Sequence, residues 1–396
     1  MKEYWFAIYP HCFLWMKGKK GLVYNTENYA KIGFRNIGML KQKAEQLAMM
    51  ENLYCIRLTE QELADKKLYA WIQDIVNKEC GTLVEDNGSN QRPLSLPPVL
   101  KVQDEADYYR WEHKQGIDGN VIENLHRMVF HLNGSTYGND LYAKQFLFPT
   151  QSDKALQMED IVWFATNARV SPFLSNISLV GNPFIVKNLD YLIELLRMIA
   201  PVSIYCTQQD TIASPERAKD LSAKIDLHIA ITDLTSLEHL PKEATYTFIV
   251  TSEQEYESAV QCEHEYDLQN TDIMPAYTGN NLAFFEEFLY MEKEGIEDIK
   301  LDKREVFIRQ KLNIHDFGCL TMMPDGTVYA NPNHQPIGTN TETPHALVYK
   351  EMTEGYSWLR VRNETPCRKC IYQWLCPSPS HYEDVIGKPD LCHIKP

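Results

Sequence analysis

Four cysteines near the C-terminus have the spacing of a metal site. Cys367 and Cys370 form a C-x2-C pair, Cys376 follows after five residues, and Cys392 closes the set. Four thiolates suit either a 4Fe–4S cluster or a tetrahedral zinc ion, and spacing alone does not choose between them. Two polar segments also end apolar runs in positions where a site could sit. LNGSTYGNDLYAKQF, from Leu132 to Phe146, places Ser135, Asn139 and Tyr142 in an x3, x2 spacing, and LVGNPF places Gly181, Asn182 and Pro183 after the next run. Ser135, Asn139 and Tyr142 offer hydroxyl and amide groups, and none is a soft, readily deprotonated sulfur ligand.

The elements that must hold these residues are those of a folded, mixed α/β chain. It has 396 residues, 44% of them hydrophobic, which allows two or three domains and a sizeable core. The net charge of −15 argues against wholesale nucleic-acid binding, which needs a basic surface. No apolar run is long enough to span a membrane, and MKEYWFAIYPHCFLWMKGKK lacks the order of a signal peptide, so the expected location is cytoplasmic. In a reducing compartment the cysteine cluster speaks for metal more than for disulfides. Cys12, Cys55, Cys80, Cys206 and Cys262 are scattered and read as buried structural thiols.

Residues 1–86 read as a small module. YWFAIYPHCFLWMK, GLVYNT and YAKIGF are β-prone runs, followed by a helix striped by Ile37, Leu40, Ala44 and Leu47. LYCIRL is a further strand, Thr59 with Glu62 makes a capping box, and Leu68, Trp71, Ile72, Ile75 and Val76 stripe a second helix before a wing strand, GTLVED. The linker DNGSNQRPLSLPP marks a boundary. Over 100–310 the chain alternates strands (HRMVFHLN, NISLVG, VSIYC, LHIAIT, TYTFIV, TDIMPAY) with helices (MEDIVWFATNAR, LDYLIELLRMIA, SPERAKDLSAK, SLEHL, EQEYESAV), and AFFEEFLYMEKEG follows the last strand. Six such strands fit a partial (β/α)6 barrel, with a doubly wound sheet as the alternative. Residues 311–396 are rich in turns, with little helical period. GCLTMMPDGTVYAN reads as a hairpin turning at Asp325-Gly326, and a metal staple would help this part fold.

These features together resemble radical-SAM enzymes with a C-terminal SPASM domain. That family carries C-x3-C-x2-C after the first barrel strand, where Ser135, Asn139 and Tyr142 stand here. It carries a GGEP string at the second strand end, where Val180, Gly181, Asn182 and Pro183 stand. The flanking Tyr142, Lys144 and Gln145 still match. An amide at Asn182 cannot make the charge-assisted bond that the ammonium of S-adenosylmethionine prefers. The resemblance therefore implies a barrel that binds no S-adenosylmethionine. In the tail, Cys367, Cys370, Cys376 and Cys392 match the outer auxiliary cluster. The inner cluster would need cysteines where Asn331 and Ser380 stand, which strands Cys319 as a leftover thiol or a rival fourth ligand.

The chain resembles pseudo-radical-SAM proteins of GG-Bacteroidales-type peptide-maturation systems, and the string CIYQWLCPSPSHYE fits that group. What this implies is a non-catalytic partner in ribosomal peptide natural-product maturation, carrying one 4Fe–4S cluster. Its partners would be a precursor peptide and a co-encoded radical-SAM maturase. The order of the first module resembles PqqD-like elements, which take a leader peptide as an added strand beside a helix. An accessory winged helix that only packs on the barrel fits the same order. Two other functions stand beside this one. The barrel mouth could serve a different enzyme, with Tyr142, Lys144 and His131 as acid–base groups. The chain could also be a zinc-stabilised binding protein. No G-x-S-x-G, P-loop or H-E-x-x-H supports a hydrolase or NTPase.

Overall fold

The computed structural model describes residues 2–86, 88, 92–93, 95–98, 119–235, 237, 240–266, 268 and 270–394. Much of the expected linker, the first residues of the expected barrel and most of the SLEHL helix lie outside these residues.

The N-terminal segment forms two antiparallel sheets around its own core. The strands are β1 (Glu3–Ile8), β2 (Cys12–Lys17), β3 (Lys20–Asn25) and β4 (Lys31–Arg35). After helix α1 (Gly38–Ala48) come β5 (Cys55–Thr59), α2 (Glu60–Leu63), α3 (Lys66–Asn77) and β6 (Gly81–Glu85). One sheet runs β5-β1-β6 and the other β2-β3-β4. The first β-prone run is thus two strands, divided at Pro10, and they belong to different sheets. The Thr59–Glu62 capping box forms as expected and starts α2. Leu14, Val23 and Ile32 meet the helix stripes of Leu40, Ala44 and Leu47 and of Trp71, Ile72 and Ile75 in one apolar cluster.

The opposite face of β2-β3-β4 is also covered. Phe13, Leu22 and Tyr24 pack with Ile296, Leu301, Val306, Ile371 and Leu375. The Tyr24 hydroxyl donates to the Leu301 carbonyl (2.8 Å) and accepts from its amide (2.6 Å).

The large sheet contains β7 (Arg127–His131), β8 (Asn176–Val180), β9 (Val202–Thr207), β10 (Asp226–Ile231), β11 (Thr245–Val250) and β12 (Thr271–Pro275). Each is parallel to the next, in the order β12-β11-β10-β9-β8-β7. The order never reverses, so the crossovers stay on one face, whereas a doubly wound sheet needs a reversal. Between the strands lie α4 (Asp140–Ala143), α5 (Met158–Ala168), α6 (Leu189–Arg197), α7 (Gln208–Ile212), α8 (Pro215–Ser222) and α9 (Glu253–Glu265). Strand residues alternate by the pleat. Met128, Phe130, Ile177, Leu179, Leu227, Ile229, Tyr246 and Phe248 join the main core. Their neighbours Arg127, Val129, Ser178, His228, Thr245 and Thr247 line a cavity of about 680 Å3 on the other face.

After β12 the chain runs through α10 (Leu282–Phe288), α11 (Lys293–Asp298) and α12 (Lys303–Lys311). AFFEEFLYMEKEG is therefore two short helices, interrupted where Met291 bridges to Cys392. The expected hairpin is β13 (Cys319–Met322) and β14 (Thr327–Tyr329), followed by β15 (Gly338–Thr339). Its first strand lies parallel to β7, so it extends the large sheet. The tail is more helical than its sequence suggests. Helix α13 (Pro344–Glu354) starts at an N-capping Thr343 and buries Leu347, Val348 and Met352 in the main core, and α14 (His381–Ile386) starts at a Ser380–Glu383 capping box. No helix of the described residues is long and apolar enough to cross a membrane.

Candidate functional site

The two polar strand ends meet on one carboxylate. Asp210, in the first turn of α7, is 2% exposed. Its Oδ2 accepts from Ser135 Oγ (2.8 Å) and Thr207 Oγ1 (2.7 Å), and its Oδ1 accepts from Asn182 Nδ2 (2.8 Å). The second loop is also tied to the first directly. Asn133 Oδ1 accepts from the Asn182 amide (2.8 Å), and Asn133 Nδ2 donates to the Asn182 carbonyl (3.0 Å). Gly181 permits this approach: its φ is +140°, and a Cβ there would lie 2.5 Å from Asn133 Oδ1. Pro183 opens a single helical turn capped by the Asn182 side chain.

The other two loop positions are occupied by local structure. Asn139 caps α4, its Oδ1 accepting from the Leu141 and Tyr142 amides. Tyr142 packs its ring against Phe146 and Phe148, and burial pushes its hydroxyl up from the ordinary tyrosine range. Tyr142, Lys144 and His131 do not assemble as a set: His131 lines the large cavity, and the other two do not. His131 is 2% exposed, its Nδ1 has no partner among the described residues, and burial lowers its pKa to about 4.

The four tail cysteines do come together. Cys367, Cys370, Cys376 and Cys392 line one hollow of about 240 Å3, walled on its apolar side by Leu289, Met291 and Ile296. The single turn at Cys367–Lys369 brings the C-x2-C pair round, with the Cys370 amide donating to the Cys367 carbonyl. Cys392 is carried in by the bridge to Met291. Burial pushes all four thiols up, Cys376 to about 12, and the Arg362 guanidinium acts against this on each. Arg362 is itself paired with the buried Glu383 (2.7 Å). Thiolates are the donors that iron–sulfur clusters and structural zinc take. Among the described residues no three His, Cys, Asp or Glu side chains converge as they would on one ion. Cys319 lines the large cavity and is not among the residues around this hollow.

Around Asn331 and Ser380 the chain has a buried ionic network. Asn331, fully buried, donates to Asp316 (3.0 Å) and Asp384 (3.3 Å). Arg360 pairs with Asp384 at 2.5 Å and lies 3.9 Å from Asp316, which also accepts from His381 (2.6 Å). Ser380 caps α14. Burial pushes Asp384 up, but His334 and Arg360 outweigh it and hold the carboxyl below its usual range. Neither this network nor the Asp210 hub was legible in the sequence. Thr207-x-x-Asp210 reads as an ordinary helix cap, and partners lying 28 and 75 residues away leave no local pattern.

A third feature is an open strand edge. Asn25 N donates to Ala30 O and Asn36 N to Lys19 O, which fixes the alternation along the β3–β4 ladder. Ile32 and Phe34 turn their backbone groups toward β3, so those of Lys31, Gly33 and Arg35 face outward. Lys31 O is taken by Lys78 Nζ and Arg35 O by the Ile37 amide, while the N–H and C=O of Gly33 have no recorded partner among the described residues. A Cβ at Gly33 would meet nothing within 4 Å. Helix α3 stands behind this edge, with Trp71 and Phe34 rings 5.0 Å apart.

No protein-family model and no curated protein matches this chain. Among solved structures it is similar to Streptococcus suis SuiB bound to precursor peptide SuiA, at 9% identity over 100% of this chain and 99% of that one, with a TM-score of 0.40. SuiB bound to S-adenosylmethionine gives 9% identity, 98% and 100% coverage and a TM-score of 0.41. BtrN in complex with AdoMet and 2-DOIA gives 12% identity, 58% and 88% coverage and a TM-score of 0.27. Likenesses this distant assign the chain to no family.

Proposed function

We propose that this chain is a non-catalytic partner in the maturation of a ribosomally made peptide. Its barrel is a radical-SAM-like scaffold that binds no S-adenosylmethionine and docks an intact, co-encoded radical-SAM maturase. The observation that carries this reading is the Asp210 hub. Ser135 stands where a cluster thiolate is needed, and Asn182 where a carboxylate would meet the cofactor's ammonium. Both side chains are committed to one buried carboxylate. Strand ends hydrogen-bonded in this way keep their shape and offer no thiolate.

The N-terminal segment takes the precursor's leader as an added strand on β4, with α3 as the groove wall. The outward N–H and C=O of Gly33 support this, since strand addition draws its affinity from main-chain bonds. The thiol quartet holds one 4Fe–4S cluster through Cys367, Cys370, Cys376 and Cys392. Zinc, which the same four thiolates suit, is the alternative occupant, and metal and sulfide analysis separates the two. When bound, such a cluster would staple the tail and could pass electrons.

The test is affinity capture using the purified full chain, the encoded precursor and the co-encoded maturase. Retention of both at micromolar concentration is expected. Failure of both to associate removes the adaptor role. Turnover of the precursor by this chain alone would replace it with an enzyme.

A further inference from the structure

The outward edge of β4 runs into a concentration of positive charge. Lys17 and Lys20 face each other across the β2–β3 turn, and Lys20 lies opposite Arg35 at the end of β4. Lys19 is exposed in that turn, and its carbonyl accepts the Asn36 amide just beyond β4. The Cys-rich tail adds Arg368 and Lys369, both exposed, from the turn that carries Cys367 and Cys370. Phe13 and Leu22, on the strands that carry Lys17 and Lys20, pack with Ile371 and Leu375 just after that turn, so the two segments lie side by side. No ion pair is recorded for Lys17, Lys19, Arg35, Arg368 or Lys369 among the described residues. A chain with 54 acidic and 39 basic residues has thus gathered six cations at one end of its open strand. Lys17 gives up its proton more readily than an ordinary lysine, first because it is partly buried and then because Arg368 repels its charge.

We propose that this end of β4 receives an acidic peptide segment. The bound strand exchanges main-chain hydrogen bonds with Gly33, and its carboxylates, at the end beyond Arg35, meet Lys17, Lys19, Lys20, Arg35, Arg368 and Lys369. This rests on the reading of β4 as the peptide-binding edge and adds the peptide's charge and its placement. It also directs the bound peptide toward the thiol quartet. A folded acidic protein would suit the cations equally, but it would have no use for the Gly33 backbone groups beside them. The junction of edge and patch favours a peptide.

The experiment uses the full chain and fluorescence anisotropy with three labelled synthetic peptides. They share an alternating Thr-Val core and end in a run of glutamates, glutamines or lysines. The glutamate peptide is expected to bind about 10-fold more tightly than the glutamine peptide at about 50 mM salt. The gap should close to about 2-fold near 500 mM, where exposed charges are screened within a few ångströms. Lys19→Glu with Arg368→Glu should abolish the gap and leave the glutamine peptide unchanged. Gly33→Pro should weaken all three peptides, whereas Gly33→Ala, which keeps the N–H and clashes with nothing, should not. Equal binding of the glutamate and glutamine peptides, still sensitive to Gly33→Pro, overturns the charge inference and leaves the edge reading standing. Peptide binding indifferent to Gly33→Pro, or no binding of any peptide, overturns both. Binding of a folded acidic protein through Lys19 and Arg368, with no charge preference among the peptides, also overturns the proposal.

Discussion

Removing the carboxylate at Asp210 should loosen the strand ends it ties together by a measurable amount. Three side-chain donors converge on it: Ser135 Oγ at 2.8 Å, Thr207 Oγ1 at 2.7 Å and Asn182 Nδ2 at 2.8 Å. A hydrogen bond to a charged group contributes about 1.5–3 kcal/mol, and a buried donor left unpaired costs about 1–3 kcal/mol. Asn182 is only half-buried, so water can replace part of its bond. Asp210→Ala is therefore expected to cost about 3–5 kcal/mol. Asp210→Asn should cost about half as much, because one oxygen survives while the new NH2 faces a donor. The N-terminal core is separate from the main core, so one unfolding transition need not report both. The assay is thermal unfolding combined with amide exchange over residues 132–146. The Tyr137 amide, bonded to Ser135 Oγ, should lose protection first. A double-mutant cycle with Ser135→Ala should give a coupling of about 1–2 kcal/mol. A cost below about 1 kcal/mol for Asp210→Ala, with loop protection unchanged, would refute the hub.

Further expectations concern pH, the thiols and the tail network. His131 holds its proton only below about 4 when folded, against an ordinary 6.5, so stability should fall by about 3 kcal/mol as pH drops through that window. Glu351 is the reverse: burial raises it from 4.5 to about 7, so stability should fall as pH rises across that range. His131→Gln should flatten the acid limb and Glu351→Gln the alkaline one, as read by urea titration from pH 4 to 8; unchanged limbs would contradict the burial argument. Cys376→Ala should abolish bound iron and sulfide after anaerobic reconstitution and Cys319→Ala should not, and zinc without sulfide in the unaltered protein would rule out the cluster. Arg360→Met should cost about 3–5 kcal/mol, because it leaves Asp316 and Asp384 buried without their cation; a neutral change in thermal unfolding would show the network to be incidental.

Local features were legible in the sequence, and convergent ones were not. The six parallel strands stood out because each is a short apolar run bounded by turn residues, and every one forms. The Thr59–Glu62 box depends on residues three apart, so it was also readable. The cysteine quartet could be read because three members lie within ten positions, though Cys392 reaches the hollow only by pairing with Met291. The attachment of β13 to β7 had no signal, since CLTM is four residues long and its neighbour is nearly 200 positions away. Helix α13 was readable in principle from Thr343-Pro344 and the spacing of Leu347, Val348, Glu351 and Met352, but the surrounding turn residues masked its period. The roles of Asp210 and Arg360 required partners from separate strands and loops, which only the folded chain supplies.

We propose that these strands keep a radical-SAM-like outline without that chemistry. The most direct measurement incubates the anaerobically reconstituted, reduced protein with S-adenosylmethionine and assays 5′-deoxyadenosine by liquid chromatography. No 5′-deoxyadenosine above the protein-free control is expected. Its formation by this chain alone, lost on alteration of the barrel-mouth loops, would contradict the account.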